Sequence, residues 1–367
     1  MSEQAAGQYA LKEIFDEARF RHMAQETLAV WPEFDPERFL VLAFDGLNEL
    51  GIMQRVRRTA ECYRATLPDD FEKATEILCL LGPRVNHAFA AIALADYVAL
   101  YGRDDFDRSM EVLHHLTRFG SAEFAIRPFL RDEPDRTLKI LRGFAEDEND
   151  HVRRLASEGS RPRLPWSFRL SVFAADPSLA FPILERLKAD PSLYVRKSVA
   201  NHLNDFSKDH PDWLLDGLEA WPMGDPHTAW IVKHALRTLI KKGEPRALAL
   251  VGATGEALVR VEGFSVTPEV VRLGSHVAIA AEIVSTAQEP QHLVADYAVH
   301  YVKKNGGPSK KVFKLKTFDL PAGGRQALSI RRAIRDFSTR THNAGHHRVE
   351  LMVNGKVIAE GGFDLET

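Results

Sequence analysis

Cysteine is scarce in this chain. Its 367 residues contain only Cys62 and Cys79, which are too few for a disulfide framework or a zinc cluster. The sequence has no metal-ligand spacing, no glycine-rich phosphate loop and no nucleophile–base motif. We therefore expect no metal and no other cofactor, and two reduced thiols in the protein core.

Long apolar segments are missing as well. None follows Met1, and the most apolar run, from His87 to Leu100, is too short to span a bilayer and contains Asp96. We therefore expect a cytosolic protein without a secretory signal and without a membrane partner. A chain of this length is also too long for one ordinary core, which favours two domains.

A strong net charge is the third missing feature. Lys and Arg number 48 and Asp and Glu 51, so the formal net charge is −3, unlike that of many proteins that bind nucleic acids. The distribution is uneven, because residues 251–367 hold 15 basic and 12 acidic residues against 33 and 39 in the remainder. The local arrangement of basic residues is therefore more informative than their total.

Residues 9–245 have the apolar period of successive helices, separated by proline and glycine. One such helix is expected from Phe39 to Tyr63. From about residue 104 the helices repeat, since the Val-Arg pair of Asp150–Gly159 recurs 43 residues later in Ser192–Asp205. The segment Ala229–Leu239 is a weaker third copy. Paired helices with this period predict an all-α HEAT-like repeat solenoid over the first 250 residues, with the second helix of each pair on the concave side.

A different pattern begins near residue 256. Apolar residues alternate with small or polar ones, for example from Val277 to Ile283 and from Leu293 to Tyr301, as in half-buried strands. Asn354-Gly355 lies between two such runs and is a strong hairpin signal. About seven short strands predict an all-β immunoglobulin-like sandwich over residues 256–367, without a stapling disulfide.

The segment VRRLASEGSRPRLPW (Val152–Trp166) contains the residues that are most informative about function. From Arg153 to Arg169 there are five arginines and a single carboxylate, Glu158. The guanidinium fork matches phosphate oxygens, whereas a carboxylate in such a surface would repel DNA unless it had a function there. Stabilising a developing positive charge is such a function.

Four segments together resemble one known family. They are FDPERF (Phe34–Phe39), LPDDFEKATEIL (Leu67–Leu78), VRRLASEGSRPRLPW and VRKSVANHLND. Over residues 9–245 the chain resembles the AlkC family of bacterial DNA alkylation repair glycosylases, and its β-domain fits the branch with an immunoglobulin-like domain. The family is similar to the AlkD-type glycosylases in using a HEAT solenoid to hold DNA. The resemblance implies excision of small cationic N-methylated bases, chiefly 3-methyladenine, without flipping of the base into a deep pocket, unlike most enzymes acting on bases.

Excision of such a base would produce an oxocarbenium ion on the sugar as the neutral base departs. The resemblance places catalytic carboxylates at Glu158 and Asp205, a further functional glutamate at Glu123, and an aromatic ring beside the lesion at Trp166. Negative charge next to the sugar would stabilise the transition state, and the ring would contact the cationic base.

Each carboxylate also has an ordinary interpretation. Glu158 could form an exposed pair with Arg154, one helical turn earlier. Asp205 could cap a turn. Glu123 follows Ser121 where a helix is expected to start, and an acidic residue is common there.

Trp166 has two interpretations as well. A large aromatic side chain usually packs in the core, here between repeats. Pro162 and Pro165 exclude a helix in this segment, stiffen it and would project the next residue outward. The resemblance favours the second interpretation.

Basic residues recur on or near the second helices of the repeats. There they would contact DNA phosphates on the concave side, unless they form an ordinary solvated surface. They are Arg127, Arg154, Arg161, Arg163, Arg196, Lys197, Lys233, Arg237 and Lys241.

Two loops of the β-domain are polar, Lys303–Lys311 and Arg335–Arg348. We favour the second as a loop that inserts into the minor groove, where the N3 edge of adenine lies, because it carries His342, Asn343 and His346. Hairpin tips are also often polar without a function.

The sequence thus predicts a monomeric, monofunctional DNA N-glycosylase whose partner is duplex DNA with alkylated bases. The alternatives are a HEAT-repeat binder of DNA structures that does not excise bases, and a protein scaffold. The arginine cluster argues against the scaffold, and only the matching carboxylates distinguish the enzyme from the DNA-structure binder.

Overall fold

The computed structural model describes residues 11–253, 256–336 and 341–367. Two compact units are formed, one by Met1–His210 with Trp221–Ile231 and the other by Pro211–Ala220 with Val232–Thr367. Secondary structure changes from helix to strand after residue 250, as the sequence predicts.

The helical part is a series of short helices joined by tight turns. In the described ranges they are α1 (Glu17–Val30), α2 (Pro36–Phe44), α3 (Ile52–Thr66), α4 (Phe71–Leu81), α5 (Ala88–Tyr101), α6 (Phe106–Leu116), α7 (Arg127–Asp132), α8 (Pro134–Phe144), α9 (Asp150–Gly159), α10 (Ser171–Ala175), α11 (Phe181–Arg186), α12 (Leu193–Phe206), α13 (Pro211–Glu219), α14 (Pro226–Ala235), α15 (Arg237–Lys242) and α16 (Pro245–Leu250). The 3-10 helices are Leu11–Phe15, Leu47–Glu49, Gly82–Arg84 and Pro177–Leu179. Among the residues described, no helix combines the length and apolar character needed to cross a bilayer.

The single helix expected from Phe39 to Tyr63 is wrong, because the segment divides into α2 and α3. Gly46 between them has a left-handed backbone (φ 62°), which ends a helix. The backbone N–H of Gly51 then donates to the Gln54 side chain (2.8 Å) at the start of α3. Two glycines therefore interrupt a helix although the apolar period continues through them.

The 43-residue repeat is also a repeat of hydrogen bonds. Arg153 Nη1 in α9 donates to two carbonyls of the preceding turn 147–148, both at 2.9 Å. Arg196 Nη1 in α12 donates to the two equivalent carbonyls of the turn 190–191, both at 2.8 Å. In both copies the arginine therefore holds the turn before its helix. The third copy is interrupted, since Ala229–Leu239 is shared between α14 and α15.

The two cysteines are free thiols. Cys62 is buried in α3, and burial raises the pKa of its thiol to about 12. Cys79 in α4 is only half-buried, so the expectation of a core thiol is confirmed for Cys62 and is wrong for Cys79.

The C-terminal residues form a sandwich of two sheets. In the described ranges the strands are β1 (Val259–Thr267), β2 (Val270–Arg272), β3 (His276–Ser285), β4 (Gln291–Val302), β5 (Pro308–Leu320), β6 (Arg325–Ala333), β7 (Gly345–Val353) and β8 (Lys356–Glu366). One sheet has the order β1-β3-β6 and the other β2-β8-β7-β4-β5. β2 pairs with β8 in parallel, and the other pairs are antiparallel. The short β2 brings the strands to one more than the sequence predicts.

Alternation along the strands builds the core of the sandwich. The alternating residues of β3 from Val277 to Ile283 are buried, as predicted. One core cluster joins Val277 and Ile279 of β3 to Tyr297 and Val299 of β4. The predicted hairpin is confirmed, because positive φ angles at Asn354 (47°) and Gly355 (79°) allow the tight turn between β7 and β8.

The last helices belong to the same compact unit as the sandwich. Gly243, just after α15, lies against the β7–β8 hairpin, so closely that a Cβ on Gly355 would lie 2.1 Å from the Gly243 Cα. Residues 232–250 therefore group with the strands, although they are helical. The predicted domain boundary between residues 250 and 256 marks the change in secondary structure and otherwise stays a prediction.

Candidate active site

A cleft in the first unit collects most of the residues predicted to be catalytic. Its volume is about 530 Å³, and it lies among the start of α5, the turn before α7, the end of α9, the loop 160–168 and the start of α12. Its lining includes Glu123, Arg154, Glu158, Arg161 and Trp166. Segments that are distant in sequence are therefore brought to one surface.

Glu158 lies in the last turn of α9, and its side chain is only 8 % exposed. Its Oε1 accepts a hydrogen bond from Arg161 Nη1 at 2.7 Å and lies 3.8 Å from Arg154 Nη2. The expected helical pair with Arg154 is thus present but buried, unlike an ordinary solvent-exposed pair. Buried carboxylates need such partners, because desolvation of an unpaired charge is costly.

Asp205 lies in the last turn of α12, and its side chain is 4 % exposed. Arg161 Nε donates to its Oδ2 at 3.0 Å, and Lys208 Nζ donates to its Oδ1 at 3.0 Å. Arg161 therefore bridges Asp205 and Glu158. Asp205 is not among the described residues that line the cleft. It contacts Arg161, which does line the cleft.

Glu123 lies in the turn 123–126 and not at the start of a helix, so that expectation is wrong. The helix α7 begins after this turn, with Pro128 in its first turn, where proline is favoured because its missing N–H would be unpaired in any case. Glu123 Oε2 accepts hydrogen bonds from Arg154 Nη1 and Ser121 Oγ, both at 2.6 Å.

The five charged side chains form one network of alternating sign. The order is Glu123, Arg154, Glu158, Arg161 and Asp205. Both arginines were predicted to contact phosphate, and both are instead partners of the carboxylates, with side chains 15 % and 9 % exposed. The network holds three carboxylates in fixed positions, two of them at the cleft wall.

Trp166 stands at the edge of the cleft and is 59 % exposed. Its ring meets Phe89 edge-on, with 6.2 Å between the ring centres. Its φ is 64°, a left-handed value that bulky residues rarely adopt and that costs about 1–3 kcal/mol. Packing between repeats, the ordinary interpretation, does not describe a side chain so exposed.

Arg127 is not a phosphate contact, because it is completely buried. Its Nη1 donates to the carbonyls of Gly159 (3.0 Å) and Arg161 (2.7 Å), and its Nη2 donates to the carbonyl of Phe168. Burial lowers its pKa to about 10. The sequence prediction for Arg127 was therefore wrong, since its side chain points beneath the loop 160–168.

The other basic residues of this unit differ in exposure. Arg163 pairs with Asp209 (2.7 Å) and its side chain is one-third exposed. Arg196 holds its turn by the two bonds described above and lies over the Trp230 ring at 5.6 Å. Lys197 is exposed on α12. Phosphate contact stays a prediction for all three basic residues.

A second cavity, of about 440 Å³, lies in the second unit. Its lining includes the predicted Lys233, Arg237 and Lys241, together with Asp296 of β4 and Lys314 of β5. Burial raises the pKa of Asp296 and lowers that of Lys314. Sequence reasoning missed Lys314, because only the sheet brings its strand to these helices.

The favoured loop of the β-domain is partly structural. His342 is 5 % exposed and meets the Tyr301 ring edge-on, so the prediction that it contacts DNA was wrong. Asn343 donates to a carbonyl of β4 at 2.9 Å, and His346 is exposed. Residues 337–340 of this loop lie outside the described residues, and a minor-groove contact by Asn343 or His346 stays a prediction.

No metal site is recognisable in the described part of the chain, where no three His, Cys, Asp or Glu side chains are grouped as ligands. The polar groups of the cleft are instead carboxylates and guanidinium groups in contact with each other. The chemistry available there is electrostatic.

Two family models match the chain. Residues 46–239, more than half of the chain, match the model described as DNA alkylation repair enzyme. The chain belongs to the DNA alkylation repair enzyme family. Residues 260–367 match the model described as the C-terminal Ig-like domain of the uncharacterised protein YhaZ. These matches confirm the predicted fold class, a HEAT-like helical solenoid followed by an immunoglobulin-like sandwich.

Individual relatives place the chain within this family. It is 52 % identical to the Pseudomonas fluorescens alkylpurine DNA glycosylase AlkC, solved bound to DNA containing an abasic site analog; the match covers 98 % of this chain and 100 % of that one, with a TM-score of 0.95. It is 37 % identical over 348 residues to the uncharacterized protein YhaZ of Bacillus subtilis (strain 168), covering 95 % of this chain and 97 % of YhaZ. The resemblance to AlkC is therefore confirmed.

Proposed function

We propose that this protein is a monofunctional DNA glycosylase that hydrolyses the N-glycosidic bond of small cationic N-alkylated bases, chiefly 3-methyladenine, in duplex DNA. The observation that carries the proposal is the network of three carboxylates and two arginines beside the exposed Trp166. Its similarity to an alkylpurine DNA glycosylase supports the same conclusion. The product would be an abasic site.

Glu158 is the principal carboxylate of the proposed mechanism. As the neutral base departs, positive charge develops on the sugar, and a carboxylate about 4 Å away in a partly screened site stabilises it by ~4 kcal/mol, roughly a thousandfold in rate. Arg154 and Arg161 weaken this field but fix the carboxylate before substrate binds, so that little reorganisation is needed during the reaction.

The other two carboxylates assist. Glu123 lines the cleft itself, and its contact with Arg154 holds it there. Asp205 contributes negative charge and holds Arg161 from the far side. Together with Glu158 they would orient the attacking water towards the sugar. No cofactor is needed for this reaction, because the alkylated base is already a good leaving group.

The cleft is open to solvent rather than enclosed. We infer that the alkylated base is recognised at this surface and is not flipped into a deep pocket. Trp166 would lie against the base or the sugar and attract the cationic base through its ring. We further infer that the duplex is bent towards the cleft and that basic residues hold it there.

The remaining basic residues would contact phosphates of a duplex bound by one protein molecule. In the first unit these are Arg163, Arg196 and Lys197, and in the second Lys233, Arg237 and Lys241. We add Lys314 to this proposed set, because it lines the same cavity as the three residues of the second unit. Such contacts position DNA without reading its sequence.

The decisive experiment measures the release of free methylated base from methylated duplex DNA. Glu158→Gln is expected to slow release of 3-methyladenine by roughly a hundredfold to a thousandfold while DNA still binds. The matched control is Glu146→Gln, since Glu146 forms an exposed pair with Arg186 (3.1 Å, 61 % exposed) in the same unit.

Three other results would change the conclusion. Binding of DNA by the wild type without release of base would identify a DNA-structure binder. Neither binding nor release would favour a protein scaffold. Equal release by the wild type and Glu158→Gln would support glycosylase activity but would show that Glu158 is not the principal catalytic carboxylate.

A further inference from the structure

Arg127 is a buried arginine whose hydrogen-bond partners are backbone carbonyls. Its side chain is completely buried, and within the described residues it has no carboxylate partner within 4 Å. Its partners are three neutral backbone carbonyls. Burying a guanidinium group is costly. Glu123, Glu158 and Asp205 attract this group only at longer range, so the three carbonyls are its direct hydrogen-bond acceptors and need to be held in place.

The three carbonyls belong to the two ends of one loop. Gly159 ends α9 and Arg161 begins the loop 160–168, and both accept from Nη1 of Arg127. Phe168, at the other end, accepts from Nη2, and its ring lies 5.3 Å from the guanidinium carbon. A single side chain therefore joins the beginning and the end of the loop.

The loop carries two groups of the proposed active site. Arg161 bridges Glu158 and Asp205 at 2.7 and 3.0 Å. Trp166 sits at the cleft edge with the unfavourable φ of 64°. Such a backbone conformation persists only when its surroundings determine it, and the bonds from Arg127 fix both ends of the segment.

We propose that Arg127 is a positioning residue for base excision, which acts by fixing the loop 160–168 and through it Arg161 and Trp166. The proposal rests on the proposed function. It assigns no contact with substrate to Arg127, whose burial excludes one.

The chain supplies a matched control in Arg55. Arg55 is also buried, at 5 % exposure, and also donates to three backbone carbonyls, those of Leu50 (3.2 Å), Lys12 (2.9 Å) and Phe15 (2.8 Å). It lies in α3 and is not among the described residues lining the cleft. A change at Arg55 removes the same kind of bonds without touching the loop.

The test compares Arg127→Lys with Arg55→Lys in the full chain. A lysine ammonium can replace the two bonds of Nη1 but does not reach the Phe168 carbonyl at the same time, so the end of the loop is released. Single-turnover release of 3-methyladenine is expected to slow by about tenfold or more, while the Kd for DNA changes by less than about threefold. Arg55→Lys is expected to lower the urea midpoint similarly and to leave release unchanged.

A second readout needs no substrate. The contribution of Trp166 to acrylamide quenching is obtained by subtracting the emission of a Trp166→Phe variant, both in the wild type and in Arg127→Lys. We expect Arg127→Lys to change this contribution and Arg55→Lys to leave it unchanged. If the wild type releases no base, the proposed function fails, whereas the quenching comparison still decides whether Arg127 positions the loop.

Phe168→Ala is a second variant that tests the same proposal if Arg127→Lys does not fold. It removes the ring that stacks on the guanidinium group but leaves the buried charge in place, and Phe168 is 40 % exposed. Release and Trp166 quenching are expected to change in the same direction as in Arg127→Lys. The proposal is overturned if both readouts stay at wild-type values in these variants, or if Arg55→Lys changes them equally.

Discussion

Side chains of the same chemical type differ widely in solvent exposure in this protein. Arg127 and Lys197 were both predicted to contact phosphate, yet the first is completely buried and the second is exposed. Trp166 and Trp221 differ in the same way, at 59 % and 4 % exposure. A tryptophan that is mostly exposed and has a strained backbone contributes little to folding. The proposed contact with a cationic base gives this side chain a function at the cleft.

Trp166→Ala is expected to separate stability from activity. The change should alter the free energy of unfolding by less than about 1 kcal/mol, because the ring is exposed and alanine keeps the Cβ, which leaves the backbone strain unchanged. Release of 3-methyladenine should fall by about tenfold to thirtyfold, the loss of a cation–π contact of up to ~2 kcal/mol. Urea unfolding and base release measure the two effects.

Trp221→Ala is the contrasting variant. Removal of its buried ring should lower the free energy of unfolding by about 3–5 kcal/mol. The loss would be seen as a lower urea midpoint. Unchanged base release by Trp166→Ala would contradict a role for this ring at the lesion.

Two neighbouring helices are joined by buried polar contacts. Ser198 Oγ of α12 donates to Ser157 Oγ of α9 at 2.9 Å, and His202 Nδ1 lies 3.0 Å from the Ser157 carbonyl. Since a carbonyl only accepts, Nδ1 carries a proton and donates it to this carbonyl. Burial, together with the positive charge of nearby Arg161, lowers the pKa of His202 to about 3, so the ring is neutral at neutral pH.

This histidine should make the helical unit sensitive to acid. Below the ordinary pKa of 6.5 the unfolded chain binds a proton at His202 that the folded chain does not, so stability falls as the pH falls from 6.5 towards 3. At pH 5 the expected loss is about 2 kcal/mol relative to neutral pH. Urea unfolding of the wild type and His202→Asn at pH 7.5 and 5 measures it.

Asparagine keeps a donor near the Ser157 carbonyl and does not titrate. The variant is therefore less stable at neutral pH but should lose less stability on acidification than the wild type. Equal losses in both proteins would show that other groups dominate the acid sensitivity.

At the scale of the whole molecule, secondary structure and compact units divide the chain differently. Helices extend to residue 250, but residues 232–250 belong to the unit that contains the sandwich. Contact between Gly243 and Gly355 leaves no space for a side chain at the hairpin. The two glycines therefore allow the last helices and the sandwich to pack as one unit.

Gly355→Ala tests this packing. Gly323 is the control, because it has a similar positive φ (64°) and no atom within 4 Å of an added Cβ. Alanine should cost about 1–2 kcal/mol at Gly323 through backbone strain alone. At Gly355 the clash should add about 1–3 kcal/mol, measured as the difference between the urea midpoints. Equal effects would mean that the helices and the sandwich are not tightly joined.

The sequence by itself determined the features that depend on neighbouring residues. Apolar period predicted the helices, alternation predicted the strands, and Asn354-Gly355 predicted the hairpin, because each follows from local backbone conformation. The spacing of Arg154 and Glu158 placed both on one face of a helix. The motif residues also identified the family, which the comparisons confirm.

Only the tertiary structure decided which of these side chains meet and which are buried. Arg161 reaches Asp205 across 44 positions of sequence, and Arg127 reaches Phe168 across 41. The apolar period and the spacing of residues in the sequence do not predict such contacts. Contacts and burial both depend on how helices that are distant in sequence pack together. For this reason the sequence predicted Arg127 as a DNA contact, whereas packing placed it beneath the loop that presents Trp166.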